Sequence, residues 1–175
     1  MARKSSYQLF WWMMVGVVVL DFITKQLAVA NLARGAPVYL VGHWLSLRLV
    51  YNTGAAFGIH VGPHSRWVFM ILAFIALIVL GAMVRQTSPT QWFRFFTLGL
   101  ICGGAVGNLI DRIRSSAGVV DFIDVWIGTF HWPTFNVADM AVSCGAVALA
   151  VALWSEGKDE EVSAGEPADP AEVST

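Results

Sequence analysis

Through its first 155 residues the chain has no glutamate and only five aspartates, Asp21, Asp111, Asp121, Asp124 and Asp139, and it carries just two cysteines. Both thiols, Cys102 and Cys144, fall inside apolar runs, which excludes a disulfide framework and leaves each as a small hydrophobe. The four histidines (His43, His60, His64, His131) show no i, i+4 pair on a helix and none of the zinc-peptidase spacings, so no metal is expected. No basic stripe with interleaved aromatics occurs, which removes nucleic acid as a partner. What the chain has in abundance is apolar length. Of its 175 residues 57% are hydrophobic and 13% charged, with a mean hydropathy of +0.64, the composition of a membrane protein with a single domain. The net charge of -1 misleads, because seven of the twelve acids lie from Glu156 onward and the body carries an excess of Arg and Lys.

Four stretches, 7–32, 67–84, 93–110 and 137–154, are long enough or nearly so to cross a hydrocarbon core, which takes about 20 helical residues. The link from Arg85 to Arg94 contains Ser88-Pro89 and predicts a tight hairpin between spans two and three. Trp11, Trp12, Trp67, Trp92, Trp126, Trp132 and Trp154 all stand at or near span ends, as interfacial anchoring requires. Arg3, Lys4, Arg85 and Arg94 favour both termini in the cytoplasm, although Arg34, Arg48, Arg66 and Arg114 then fall outside. Arg3-Lys4, an apolar run and Ala28-Val29-Ala30 also match the three parts of a cleaved signal peptide. Asp21 and Lys25, one turn apart with the acid first, suit an ion pair within a retained helix, so the first span is expected to stay.

This threading brings all five aspartates toward one leaflet. An ionised carboxylate at membrane depth costs on the order of 2.5 to 3.5 kcal/mol on insertion scales, so such residues usually mark function. Paired carboxylates in a partly dry site equip an aspartyl protease. In span three, Gly99, Gly103 and Gly107 form a small-residue stripe for close helix packing. Asn108, Asp111 and Arg112 then share one face, either as a helix-end ion pair or as a polar scaffold beside a catalytic group. Span four opens with Asn136 as an N-cap and Asp139 at N3, where a carboxylate closes a capping box. Asn136, Asp139 and Ser143 line one stripe of that helix. In the segment before it, Asp121 or Asp124 is available as a partner for Asp139; spacing alone does not choose, and the other reads as a solvated loop acid. Leu45, Leu47 and Leu49 alternate as in a strand lying on an apolar surface. The small residues from Asn52 to Gly58 suggest close backbone approach to another strand or to a bound peptide.

Together these segments resemble the lipoprotein (type II) signal peptidases of bacterial membranes. The resemblance rests on Asp21-Phe22-Ile23-Thr24-Lys25, Asn52-Thr53-Gly54-Ala55-Ala56-Phe57, Gly104-Ala105-Val106-Gly107-Asn108-Leu109-Ile110-Asp111-Arg112, Val119-Val120-Asp121-Phe122 and Phe135-Asn136-Val137-Ala138-Asp139, in the family's order. It implies a membrane all-α bundle of four transmembrane helices with a small extracytoplasmic β-sheet and a short surface helix. Residues 1–155 would form the peptidase domain and 156–175 a disordered acidic cytoplasmic tail. It further implies an aspartyl dyad of Asp121 and Asp139, with Asn52, Gly54, Asn108, Arg112, Asn136 and Ala138 binding substrate or holding the dyad, and Asp21, Lys25 and Asp111 supporting the fold. The implied substrate is a prolipoprotein cut just before a diacylglyceryl-modified Cys. No cofactor is implied, the partners are lipidated signal peptides and membrane lipids, and the chain is expected to be a monomer of the bacterial inner membrane with its site near the outer face. The competing reading, a small proton-coupled transporter using the same acids as a relay, would spread charge through the bilayer rather than crowd it at one side.

Overall fold

The computed structural model describes residues 2–54 and 62–165, with side chains between 6 and 157. The Ala55-Ala56-Phe57 part of the second motif lies outside the described residues. Four long helices are present: α1 (Ala2–Asn31), α2 (Ser65–Gln86), α3 (Trp92–Arg114) and α4 (Val137–Gly165). Each contains an apolar stretch long enough to cross a membrane, at Ser6–Asn31, Ser65–Gln86, Trp92–Arg114 and Val137–Gly157. These spans overlap the four stretches read from sequence and extend them at most of their ends.

α3 is the central helix, with α1 and α4 packed along it and α2 against it more lightly. Lipid tails give no hydrophobic reason for helices to associate, so close packing must come from shape. The glycine stripe provides it. A Cβ added at Gly99 would lie 2.8 Å from the Phe10 carbonyl oxygen, at Gly103 2.8 Å from Val17 Cβ, and at Gly107 2.6 Å from the Asp21 carboxylate. Gly104 does the same for α4, where a Cβ would collide with the Ala138 carbonyl. α2 instead turns Trp67, Ile71, Phe74, Ile75 and Ile78 outward, as a lipid-facing helix does. At the end of the bundle holding the α2–α3 link, Phe10, Val84, Phe95, Leu98, Ile101, Cys102 and Leu149 make an apolar core.

The α1–α2 and α3–α4 connections meet at the other end and build one antiparallel sheet in the order β1 (Val38–Val41), β2 (Leu45–Asn52), β3 (Val119–Ile127), β4 (Phe130–Phe135). The alternating leucines of β2 thus lie in a strand as read, and its partners are other strands. β2 carries one extra residue between Leu47 and Val50 where β3 advances from Ile123 to Asp121. That bulge brings Asn52 opposite Val119, beside Asp121. A single 3-10 turn, Gly62–His64, leads into α2. Apart from that turn, the short surface helix expected in this loop falls outside the described residues, which leave out 55–61.

α4 continues to Gly165, whereas composition led to a disordered segment from 156 onward. Glu, Lys and Ala in this stretch are good helix formers, and propagation from an already nucleated helix is cheap.

Candidate active site

Three backbone elements deliver the five aspartates to the sheet end of the bundle: the second half of α1, the last turn of α3, and the β3–β4–α4 segment. Lys25 is the fixed point. Its ammonium, 1% exposed, meets Asp21 at 2.7 Å and Asp111 at 2.9 Å and donates to Asn108 Oδ1 at 3.0 Å. All three of its protons are thus used. Asp21 Oδ1 accepts the Ala138 backbone N–H at 2.9 Å, and Asp111 Oδ2 accepts that of Val120 at 3.2 Å. The cluster therefore joins α1, α3, β3 and the start of α4.

Asn108 passes this order on. Its Oδ1 also accepts from Asn136 Nδ2 at 3.1 Å, and its Nδ2 donates to Asp139 Oδ1 at 2.8 Å. Asn136, completely buried, donates to Asp121 Oδ1 at 2.7 Å. The same residue caps α4: its Oδ1 accepts the Asp139 N–H at 2.9 Å while Asp139 Oδ2 accepts the Asn136 N–H at 3.2 Å, a reciprocal capping box. Asp139 thus both closes the capping box and belongs to the polar cluster. Asn52 Nδ2 supplies the remaining Asp121 oxygen at 3.0 Å, and Asn52 Oδ1 accepts the Gly54 N–H at 2.9 Å, which fixes the turn after β2.

Asp121 and Asp139 both face one cavity of about 690 Å³. Burial raises the Asp121 pKa to about 7, with further upward pressure from the Asp139 charge, against hydrogen bonds from Asn52 and Asn136 that lower it. Arg112 borders the same cavity and donates to the carbonyls of Asn108 and Gly54, each at 3.1 Å. Polar groups occupy one end of this cavity. From there it runs along α2 past Phe69, Ala73 and Ala76, over a length of about 10 Å at the helical rise, with Ala105, Val142 and Ser143 opposite.

Of the polar residues singled out from sequence, Asn52, Asn108, Arg112, Asp121, Asp139 and Ser143 border the cavity. Asn136 stands behind them. Ala138 and Gly54 do not line it: Ala138 is sealed between α4 and its neighbours, and Gly54 acts through its backbone. Asp124 is a correction. It is neither solvated nor in a loop but sits mid-strand at 2% exposure, on the opposite sheet face from Asp121, because a three-residue step along a strand reverses the side chain. The cavity walls from α2 and β4 were missed; the available signal was Phe69, Ala73 and Ala76 on one face of an otherwise bulky helix. Arg66 was also missed. It closes the C-terminus of α3, donating to the Arg112 carbonyl at 2.7 Å and to that of Ile113 at 3.3 Å.

Comparison with known proteins agrees with this architecture. Residues 13–155 match the family model described as signal peptidase (SPase) II. The lipoprotein signal peptidase of Hydrogenovibrio crunogenus is 41% identical over 154 residues, covering 86% of this chain and 88% of its own. That of Treponema denticola is 40% identical over 165 residues, covering 90% and 95%. A bacterial membrane enzyme solved by the in meso method at 2.3 Å superposes with a TM-score of 0.76 at 30% identity, over 90% of this chain and 91% of that one. A second, solved at 1.9 Å, gives 0.72 at 33% identity over 81% and 89%. The chain belongs to the signal peptidase II family and is a multi-pass membrane peptidase.

Proposed function

We propose that this peptidase removes the signal peptide from diacylglyceryl-modified prolipoproteins, cutting just before the lipidated Cys, with Asp121 and Asp139 as its catalytic dyad. The observation that carries the reading is that two carboxylates from different elements border one cavity, with each of their four oxygens given a hydrogen-bond donor by Asn52, Asn108 or Asn136. Neighbouring carboxylates that are partly desolvated do not both ionise cheaply, so the pair holds one proton and titrates as a unit. The pKa of about 7 at Asp121 fits that state near neutral pH.

The ionised member takes a proton from a water as that water attacks the scissile carbonyl. The protonated member donates to the developing oxyanion, and collapse of the tetrahedral intermediate breaks the C–N bond as a proton moves to the leaving amine. Asn108 and Asn136 hold the acids in register. Arg112, beside both, offsets negative charge as it develops. The apolar stretch of the cavity along α2 suits acyl chains, while the polar end suits the peptide bond.

In the membrane, both termini and the 156–175 tail lie on the cytoplasmic side and the sheet on the outer side, placing the cut where a lipid-anchored substrate arrives. The chain works as a monomer among membrane lipids and needs no cofactor. The five aspartates are gathered at one end and α2 has no charge from 67 to 84, which disfavours a proton relay across the bilayer. Purified protein should cleave a diacylated lipobox peptide immediately before Cys, read by mass spectrometry, and should leave the unlipidated peptide largely intact. Absence of that cut in well-folded protein would overturn the proposal.

A further inference from the structure

Asp124 takes no part in the dyad, yet it is the most heavily hydrogen-bonded carboxylate among the described residues. Its Oδ1 meets His131 Nε2 at 2.7 Å and Thr134 Oγ at 3.1 Å; its Oδ2 meets Ser46 Oγ and Trp126 Nε1, each at 3.1 Å. An ionised carboxylate only accepts, so all four partners must donate, and His131 must carry a hydrogen on Nε2. Burial would favour the neutral acid, but the donors together outweigh it and hold the Asp124 pKa below the ordinary value. One side chain thereby ties together β2, β3 and β4.

The location matters more than the number of bonds. Between Ile123 and Val125 the β3–β4 register slips: β3 advances two residues while β4 advances from Trp132 to Phe135, so Pro133 and Thr134 together oppose the single residue Asp124. Proline has no N–H to give to a ladder, which is why it sits at such a bulge. The Asp124 carboxylate replaces the missing ladder contacts by taking the Thr134 hydroxyl. Trp132, Pro133, Thr134 and Phe135 nevertheless border the large cavity, and Asn136 follows directly.

We infer that Asp124 is a positioning residue for substrate binding: by pinning the Pro133–Thr134 bulge it sets the β4 wall against which the lipidated peptide lies. This deepens the proposed function and rests on it for the identity of the ligand. Asp124 touches neither the dyad nor the cavity, so its loss should weaken binding more than it slows the bond-breaking step.

The test uses full-length protein in detergent. In Asp124→Asn an amide N–H replaces one acceptor and faces donors, so KM for the diacylated lipobox peptide should rise about tenfold while kcat stays within about twofold. His131→Ala should move KM in the same direction, and His131→Gln, whose amide can donate where Nε2 does, should restore it. Thermal unfolding monitors the fold of each variant, and the His131 pair keeps the question answerable if Asp124→Asn does not fold. Affinity is also read without turnover, by titrating a fluorescent lipopeptide into Asp121→Asn with and without His131→Ala. A weaker Kd there supports the wall; if Asp121→Asn proves active the dyad reading fails, and the KM comparison of His131→Ala with His131→Gln then carries the test of the wall. Unchanged KM and Kd, loss of kcat at constant KM, or equal KM for His131→Ala and His131→Gln would each overturn the inference.

Discussion

Asp121 and Asp124 stand three residues apart on β3 and are equally hidden, at 1% and 2% exposure, yet their acidities are pushed in opposite directions. Asp121 receives two side-chain donors and lies near a second carboxylate; Asp124 receives four donors. Asp21 and Asp111 represent a third arrangement, sharing one buried ammonium. Burial therefore does not by itself decide which way an acid is shifted. The difference lies in how completely the charged form is satisfied, which leaves Asp121 at about 7 and holds Asp124 below the ordinary value.

That contrast can be broken most sharply by exchanging single oxygens. Asp121→Asn and Asp139→Asn should each lower kcat by at least about a thousandfold in a lipopeptide cleavage assay with the fold retained. Asp124→Asn, by contrast, should remain active. Comparable losses at 121 and 124 would erase the distinction. Next in size is the ion cluster. Lys25→Met leaves Asp21 and Asp111 buried without a cation and should destabilise the protein by about 3 to 5 kcal/mol in thermal or denaturant unfolding. Adding Asp21→Asn and Asp111→Asn should recover much of that loss.

Stability against pH sharpens the comparison further. Asp121 binds its proton more tightly when folded, so its contribution is fully present below the ordinary pKa of 3.8 and is lost as pH rises through about 7. Asp124 has the opposite sign: its contribution is present above 3.8 and is lost as pH falls through its lower folded pKa. Asp121→Asn should therefore remove a decline on the order of 2 to 4 kcal/mol between pH 4 and 8, and Asp124→Asn should flatten only the acid side. The smallest effect is expected from Asn52→Leu. Loss of one donor to the charged form should raise the Asp121 pKa by roughly one unit, moving the alkaline limb of kcat/KM upward. A downward shift would contradict the role given to Asn52.

Much of this was legible in the sequence because local rules and tertiary outcome agree. Spans declare themselves by length, Gly99-x-x-x-Gly103-x-x-x-Gly107 by its spacing, β2 by its leucines, and the α4 entry by Asn136 and Asp139. The choice between Asp121 and Asp124 was not legible from spacing, because it depends on β3 being a strand and on which face meets the helices. Ser46, Trp126, His131 and Thr134 converge on Asp124 only after three strands pair. Ala138 was singled out through its motif; it stands outside the cavity lining, with its carbonyl against Gly104 and its Cβ toward Gly107.

The reciprocal bonds at the entry of α4 tether the Asp139 carboxylate to the main chain through one oxygen and leave the other to the Asn108 amide. Unwinding that first turn by a single residue would release the acid and loosen the helix in the same event. Order in the backbone and placement of the side chain are thus one equilibrium, and under the proposed dyad a compound that frays the turn would block cleavage without ever touching the scissile position.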